Sequence, residues 1–311
     1  MENPQNKKIF MIIDGSAILY RAFHAMPNLT SPEGVPTGAL SGFFSMLLKL
    51  IQNVQPDYLA VAFDRGKPTF RQQIYVGYHA NRPKAPDELK DQFSSVRETL
   101  STIGIPVYEI DGFEGDDLVG SINQKINEER KDMLVYIVTG DRDMLQLVDE
   151  DTRVLMPVKG ISEVKIFDSA RVIEKYGIRP DQVVDLKAFM GDSSDNYPGV
   201  PGVGPKTAMN LLLEYEHFET VFEKINEIES KNPKLAKKLA ENADQAFLAK
   251  KLATIDTHVP FVFSLKDCDM KLFTKEKFVN AFKKYSFNTL TKRLDEVFGE
   301  KSNVKNQMKL I

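Results

Sequence analysis

The stretch that decides the fold is Lys8-Ile-Phe-Met-Ile-Ile-Asp14, a short apolar run that stops at an acid and gives way to an amphipathic segment, Ala17 to Ala25. The same grammar recurs. Runs at Tyr58 to Asp64, Val107 to Asp111 and Leu134 to Asp141 also end in Asp. Each reads as a strand, with helical patterns at Gly38 to Asn53, Asp87 to Ile103, Gly115 to Glu129 and Arg142 to Val148. Strands alternating with helices predict an α/β body, a mostly parallel central sheet flanked by helices. Two further strands, Arg153 to Val158 and Glu163 to Phe167, close this region, and from about Ser169 the pattern is helical. The expected division is an α/β body over 1–178, a helical lobe over 179–298 and a polar tail or linker over 299–311, with Lys301 to Lys309 as its polar core.

Bulk composition narrows the class without naming a chemistry. The chain has 311 residues, 42% of them hydrophobic, enough for one large domain or for a domain with an appended lobe. Its single cysteine, Cys268, excludes a disulfide framework and a thiolate zinc site and is expected to be structural. The apolar run Ile9 to Ile13 is too short for a signal peptide, and no segment has the length of a membrane span, so a soluble, cytoplasmic protein is expected. A net charge of -3 argues weakly against a nucleic-acid partner, but the distribution reverses that. From Arg65 to Lys84 the basic residues are Arg65, Lys67, Arg71, Arg82 and Lys84, with no Asp or Glu among them and with Phe70, Tyr75 and Tyr78 interleaved.

The acids carry the chemistry. Asp14 and Asp64 each close an apolar run and so belong at the C-terminal edge of the sheet, where open α/β sheets bind ligands. Singly, either could be a helix N-cap. Phe113-Glu-Gly-Asp-Asp-Leu118 crowds Glu114, Asp116 and Asp117 into one helical turn; Glu114 and Asp117 share a face and Asp116 points elsewhere. Val138-Thr-Gly-Asp-Arg-Asp143 adds Asp141 and Asp143 at another strand end, and Gly191-Asp-Ser-Ser-Asp195 adds Asp192 and Asp195. Such a set cannot stay ionised at one edge without cations. Oxygen ligands without His or Cys point to Mg²⁺ or Mn²⁺, and two such ions about 4 Å apart can hold a phosphodiester between them. His24, His79, His217 and His258 show no metal-type spacing, and no nucleophile elbow is present.

In the second half, Gly199-Val-Pro-Gly-Val-Gly-Pro-Lys-Thr207 lies between helical patterns at Asp181 to Met190 and Thr207 to Glu214. A Gly-rich turn before a helix leaves backbone N–H groups free for phosphate. It is not a Walker A loop, because Pro205 separates Gly204 from Lys206.

Together these segments resemble the 5′ nuclease domain of bacterial DNA polymerase I, a relative of the flap endonucleases. The motifs that carry the resemblance are Ile13-Asp-Gly-Ser-Ala17, Leu19-Tyr-Arg-Ala-Phe-His24, Pro36-Thr-Gly38, Val61-Ala-Phe-Asp64, Thr69-Phe-Arg71, Thr139-Gly-Asp141, Met190-Gly-Asp-Ser-Ser-Asp-Asn196 and Gly199-Val-Pro-Gly-Val-Gly204. Matches continue in Leu252-Ala-Thr-Ile255 and Phe282-Lys-Lys-Tyr285. The resemblance implies a PIN-like 5′ nuclease fold that binds two Mg²⁺ or Mn²⁺. Asp14, Asp64, Glu114, Asp116 and Asp117 would surround one ion and Asp141, Asp143, Asp192 and Asp195 the other, with Asp116 between them. It implies a helical arch over about 65–103 that admits single-stranded 5′ flaps, and a helix-hairpin-helix clamp at 199–207 that grips duplex phosphates and can hold K⁺. The DNA contacts implied are Arg21, Thr37, Arg71, Tyr75, Tyr78, His79, Arg82 and Lys84, and at the clamp Gly199, Val200, Gly202, Gly204, Lys206 and Thr207.

One position departs from the pattern: His79 stands where the family usually has a Lys thought to contact the scissile phosphate. His79 and Arg82 are therefore expected to share that catalytic task. The function implied is structure-selective hydrolysis of DNA at 5′ flaps, nicks and RNA-primer ends, by a monomer that works with a polymerase domain in cis or in trans. A single-strand-specific metal-dependent ribonuclease is the rival enzyme, and the long helical lobe with its clamp turn argues against it. A non-catalytic DNA-binding module would have no need of the complete acidic set.

Overall fold

Strand β1 (Lys8–Asp14) is central because it has no polar face to offer water. Phe10 and Ile12 enter one apolar core and Met11 and Ile13 the other, so the period-two pleat divides the run between the two sides of the sheet. The computed structural model describes residues 7–26, 29–31, 34–130, 132–159 and 163–299, so the polar tail expected beyond 299 lies outside the described residues.

After β1 come α1 (Gly15–Ala25), α2 (Gly38–Val54), β2 (Tyr58–Ala62), α3 (Phe70–Ile74), α4 (Asp87–Ile103), β3 (Val107–Tyr108), α5 (Gly115–Glu129) and β4 (Met133–Val138). The order continues with β5 (Thr152–Lys159), β6 (Glu163–Phe167), α6 (Ser169–Tyr176), α7 (Val183–Met190), β7 (Gly191–Asp192) and β8 (Tyr197–Pro198). The C-terminal helices are α8 (Pro205–Tyr215), α9 (Phe218–Glu223), α10 (Ile225–Lys231), α11 (Pro233–Glu241), α12 (Ala243–Ala253), α13 (Lys275–Lys283) and α14 (Asn288–Phe298).

The main sheet runs β3-β2-β1-β4-β5-β6. The first five strands are parallel and only β6 is antiparallel, against β5. Chain order reverses between β1 and β4, which makes the carboxyl edge of that pair the switch point where such sheets open a ligand crevice. Asp14 sits there.

Three expectations are revised. Residues Asp143–Leu147 form a 3₁₀ turn instead of an α-helix, and β3 is two residues long, limited to its register with Val61 and Ala62. The segment between Arg65 and α4 is no continuous helix: α3 has five residues, turns follow to Asn81, and Pro83 and Pro86 keep the chain extended before α4. Residues 179–298 pack on both faces of the sheet. Helices α7 to α12 add Phe189, Leu211, Phe218 and Ala246 to the core on the Phe10 side, whereas α13 and α14 place Phe278, Phe282, Leu290 and Leu294 on the Met11 side, against α2 and α4.

Candidate functional site

At the carboxyl edge of β1, Asp14 ends the strand and caps α1. Its Oδ1 accepts from the Ala17 N–H at 2.9 Å and its Oδ2 from the Thr139 hydroxyl at 2.7 Å, which fixes both oxygens and ties β1 to the end of β4. Asp64, two residues past β2, accepts from the Gly115 N–H at 2.7 Å, and its own N–H donates to the Ser16 hydroxyl at 3.1 Å. The starts of α1 and α5 are thereby held together at one place. Asp116 lies in the first turn of α5.

Burial first, and then repulsion from Asp14, Asp141, Asp64 and Glu114, pushes the Asp116 carboxyl well above the usual carboxylate range. Asp14 is pushed up to about 7 by burial, against the pull of its Ala17 and Thr139 hydrogen bonds and with the help of Asp64 and Asp141. Among the described residues no Lys or Arg forms an ion pair with Asp14, Asp64, Asp116 or Asp141.

Two expected ligands are committed elsewhere. Asp117 is fully buried, and its oxygens accept from Arg71 at 2.8 and 2.7 Å, from the Glu114 N–H at 3.0 Å and from the Asp256 N–H at 2.9 Å. A carboxylate offers about four lone pairs, and none is left for a metal ion. Glu114 accepts from Arg71 at 3.0 Å, from the Thr69 hydroxyl at 3.2 Å and from the Tyr78 hydroxyl at 3.2 Å. Burial nevertheless raises the Glu114 carboxyl, with Arg71 opposing. Asp117, expected among the metal ligands, has its oxygens committed to Arg71 and backbone N–H groups, and Glu114 is shared with Arg71, Thr69 and Tyr78 at the base of the arch segment.

Arg71, expected to touch DNA, is the reason. Its guanidinium is buried, and its five N–H groups go to Asp117 twice, to Glu114, and to the carbonyls of Leu252 and Thr254. No donor remains for a phosphate.

The second acidic group gathers beside α7. Carboxylate oxygens of Asp143, Asp192 and Asp195 lie within 4.8 Å of one another. Asp192 is placed by a close approach of two glycines: Gly191 has φ +73°, and a Cβ there would lie 2.4 Å from the Gly199 nitrogen. The Lys187 ammonium, which the sequence reading missed, is clamped between Asp143 and Asp192, at 2.5 Å from the latter. Its signal was its place five residues before Asp192 on the last turns of α7, but a lone Lys at a helix end has many innocent explanations. Burial and Asp141 push Asp143 up to about 7, against the pull of Lys187. Burial would also raise Asp192, but Lys187 and Ser194 hold it below the ordinary range.

Asp195 is met by His79, whose Nε2 lies 3.0 Å from its Oδ1 and whose backbone N–H donates to its carbonyl at 2.9 Å. His79 has φ +58° and stacks on Tyr78 with ring centroids 4.1 Å apart.

The remaining expected contacts divide by exposure. Arg82 and Lys84 are exposed, with the Arg82 guanidinium over the Tyr20 ring, and Arg21 and Tyr75 are half-buried. Thr37 and Tyr78 are buried and hydrogen-bonded within the protein, so neither presents its side chain to a ligand. In the clamp turn, Val200 is core and its N–H donates to the Phe189 carbonyl, while Gly199 is packed against Gly191. Gly202, Gly204 and Lys206 are exposed and Thr207 half-buried, at the start of α8, which has no side-chain cap.

A parallel sheet carrying convergent carboxylates at its switch point, with a helical annex beside them, is a fold seen before. The T5 D15 protein co-crystallised with metal ions superposes with a TM-score of 0.62 at 20% identity, over 93% of this chain and 99% of that one. The catalytic core of Rad2 in complex with DNA substrate gives 0.59 at 18% identity, over 96% and 93%. The sequence is more specific than the fold. The profile of the 5′-3′ exonuclease N-terminal resolvase-like domain matches residues 9–177, and that of the 5′-3′ exonuclease C-terminal SAM fold matches residues 178–276. DNA polymerase I of Bacillus subtilis (strain 168) is 41% identical over 290 residues, 93% of this chain but 32% of that protein. The chain belongs to the 5′-3′ exonuclease family, and it spans about a third of the length of the curated relatives it matches.

Proposed function

We propose that the chain hydrolyses phosphodiester bonds in DNA at 5′ flaps, nicks and RNA-primer ends, using two divalent cations, and that it works with a polymerase domain in cis or in trans. The observation that carries this reading is the uncompensated group Asp14, Asp64, Asp116 and Asp141: Asp14 is buried, Asp64 and Asp116 are half-buried and Asp141 is exposed at the rim, the four acids repel one another, and among the described residues no Lys or Arg forms an ion pair with any of them. An all-oxygen donor set of this kind fits Mg²⁺ or Mn²⁺. Those acids would hold one ion, and Asp143, Asp192 and Asp195 the other. Bound there, such ions supply a water of lowered pKa and stabilise the leaving oxygen.

The chain's own residues do the rest. Thr139 and the Ala17 N–H orient Asp14, and the Gly115 N–H orients Asp64, so the acids are preorganised instead of recruited. Arg82 and Lys84 offer positive charge at the mouth for a single-stranded backbone, and the uncapped start of α8 offers N–H groups to a duplex phosphate, with K⁺ at the clamp turn as a further ion. His79 is held on Asp195, so its part in the reaction is to position that acid beneath the arch. Support also comes from the relatives, since the T5 D15 protein crystallises with metal ions and the Rad2 core with a DNA substrate.

The decisive experiment incubates the chain with 5′-labelled flap, nicked and single-stranded DNAs in Mg²⁺ or EDTA. Short 5′ products from the flap and nick in Mg²⁺ alone are expected; no Mg²⁺-dependent cleavage of any substrate rejects the reading.

A further inference from the structure

The second acidic group already contains a cation. The Lys187 ammonium lies between Asp143 and Asp192, two of the three carboxylates that converge there, and so occupies oxygens that a divalent ion would need. Beside it is an anomaly. The Tyr197 hydroxyl is buried and has no hydrogen-bond partner among the described residues, although a buried phenol normally finds one.

Tyr197 is the direct cross-strand neighbour of Asp192 in the β7–β8 ladder, which puts the two side chains on the same face. Its hydroxyl lies within electrostatic reach of Lys187, Asp143, Asp192 and Asp195. Its ring stacks against Tyr78, with centroids 6.3 Å apart and planes 17° from parallel. An unpartnered acceptor thus stands near an ammonium carried on a flexible side chain and held by two carboxylates. A lysine is suited to such a post because its charge is a compact point on four rotatable carbons, whereas a guanidinium fork would be pinned in place.

We propose that Lys187 is a displaceable counter-cation of the second acidic group, which vacates Asp143 and Asp192 when a divalent ion binds and then donates to the waiting Tyr197 hydroxyl. The inference rests on the two-cation reading above. In the resting protein Lys187 neutralises the acids and keeps the group folded; when the ion arrives, the ammonium moves to an acceptor instead of being left buried and unpaired. The second ion is therefore bound more weakly than the carboxylates alone would bind it, in exchange for a site that stays intact when empty.

The test is Mn²⁺ binding to the whole chain without DNA, followed by electron paramagnetic resonance of the free ion and by calorimetry at pH 8, with circular dichroism as a check of folding. Lys187→Met should bind the weaker class of ion more tightly, by on the order of tenfold, because the competing cation is gone. Tyr197→Phe, which keeps the ring and its stacking, should weaken that class by about threefold to tenfold, the worth of one hydrogen bond. In the Lys187→Met background Tyr197→Phe should change nothing. Weaker-class binding by Lys187→Met that is unchanged or poorer would overturn the proposal, as would an equal effect of Tyr197→Phe in both backgrounds. Absence of any Mn²⁺ binding by the wild type would instead defeat the two-cation reading, and the inference with it.

Discussion

Arg71, buried, and Lys187, half-buried, are both cations set against pairs of acids a short way from the same crevice, yet they are built for opposite ends. Arg71 has spent all five donors, two of them on carbonyls of the distant Leu252 and Thr254, and only 3% of its side chain is exposed. Lys187 holds two carboxylates with a point charge, keeps 19% of its side chain exposed, and stands beside an unused acceptor. The difference teaches how to tell a structural charge pair from a working one: the number of geometrically fixed bonds on the cation, and whether it has anywhere else to go.

The largest effect should come where neither cation reaches. If Asp14, Asp64 and Asp116 hold a metal ion as proposed, Asp116→Ala should lower cleavage by at least about a thousandfold while leaving duplex binding, measured by fluorescence anisotropy in Ca²⁺, unchanged. Retained activity in that variant would mean that protein cations suffice.

Next is the contrast itself. Arg71→Met strands Asp117 and Glu114 in the interior and should cost about 3–5 kcal/mol in urea denaturation, with Arg71→Lys restoring little of it. Lys187→Met should cost less than Arg71→Met under the same metal-free conditions, and that loss should be recovered on adding Mn²⁺.

A third measurement follows from the raised carboxyls. Burial and repulsion from neighbouring acids push the Asp14 and Asp143 carboxyls up to about 7 in the folded chain, from an ordinary value of 3.8 that the unfolded chain regains. The folded state therefore binds more protons across that window, and stability of the metal-free protein should fall as pH rises from about 4 through 7. Thermal melts from pH 5 to pH 8 with EDTA should show the fall, and Mg²⁺ should flatten it; a flat profile in EDTA would mean that the acids are already compensated.

The smallest effect is at the clamp. Lys206→Ala should weaken duplex binding a few-fold and lower the slope of log K against log salt by about 1, with cleavage of bound DNA unaffected.

The sheet was legible because its central strands β1, β2 and β4 are largely buried on both faces, so each is a plain apolar run, and because Asp at the end of such a run marks an edge. The carboxylates were legible as a set for the same reason. Which of them face the crevice was not. Asp116 and Asp117 are neighbours in sequence with equal claims; what separates them is Arg71, and no periodicity announces that an arginine in a basic, aromatic stretch turns inward to meet α5 and the end of α12. Lys187 and Tyr197 were hidden too, since each takes its meaning from a partner that only the fold supplies. Val200 sits in a Gly-rich turn that looks like a ligand loop, but one apolar side chain there was enough to anchor the turn in the core.

The bonds from Arg71 to Leu252 and Thr254 span 181 and 183 residues and cross the point near 177 where the two family modules meet in sequence. The boundary is therefore one of inheritance and not of cooperativity. A chain cut there would leave the arginine with two donors and no acceptors, and the first module would lose the scaffold that keeps its own acids apart. The pairing that holds Asp117 and Glu114 at the crevice is therefore complete only when the chain around Leu252 and Thr254 is in place, which couples the stability of the two modules.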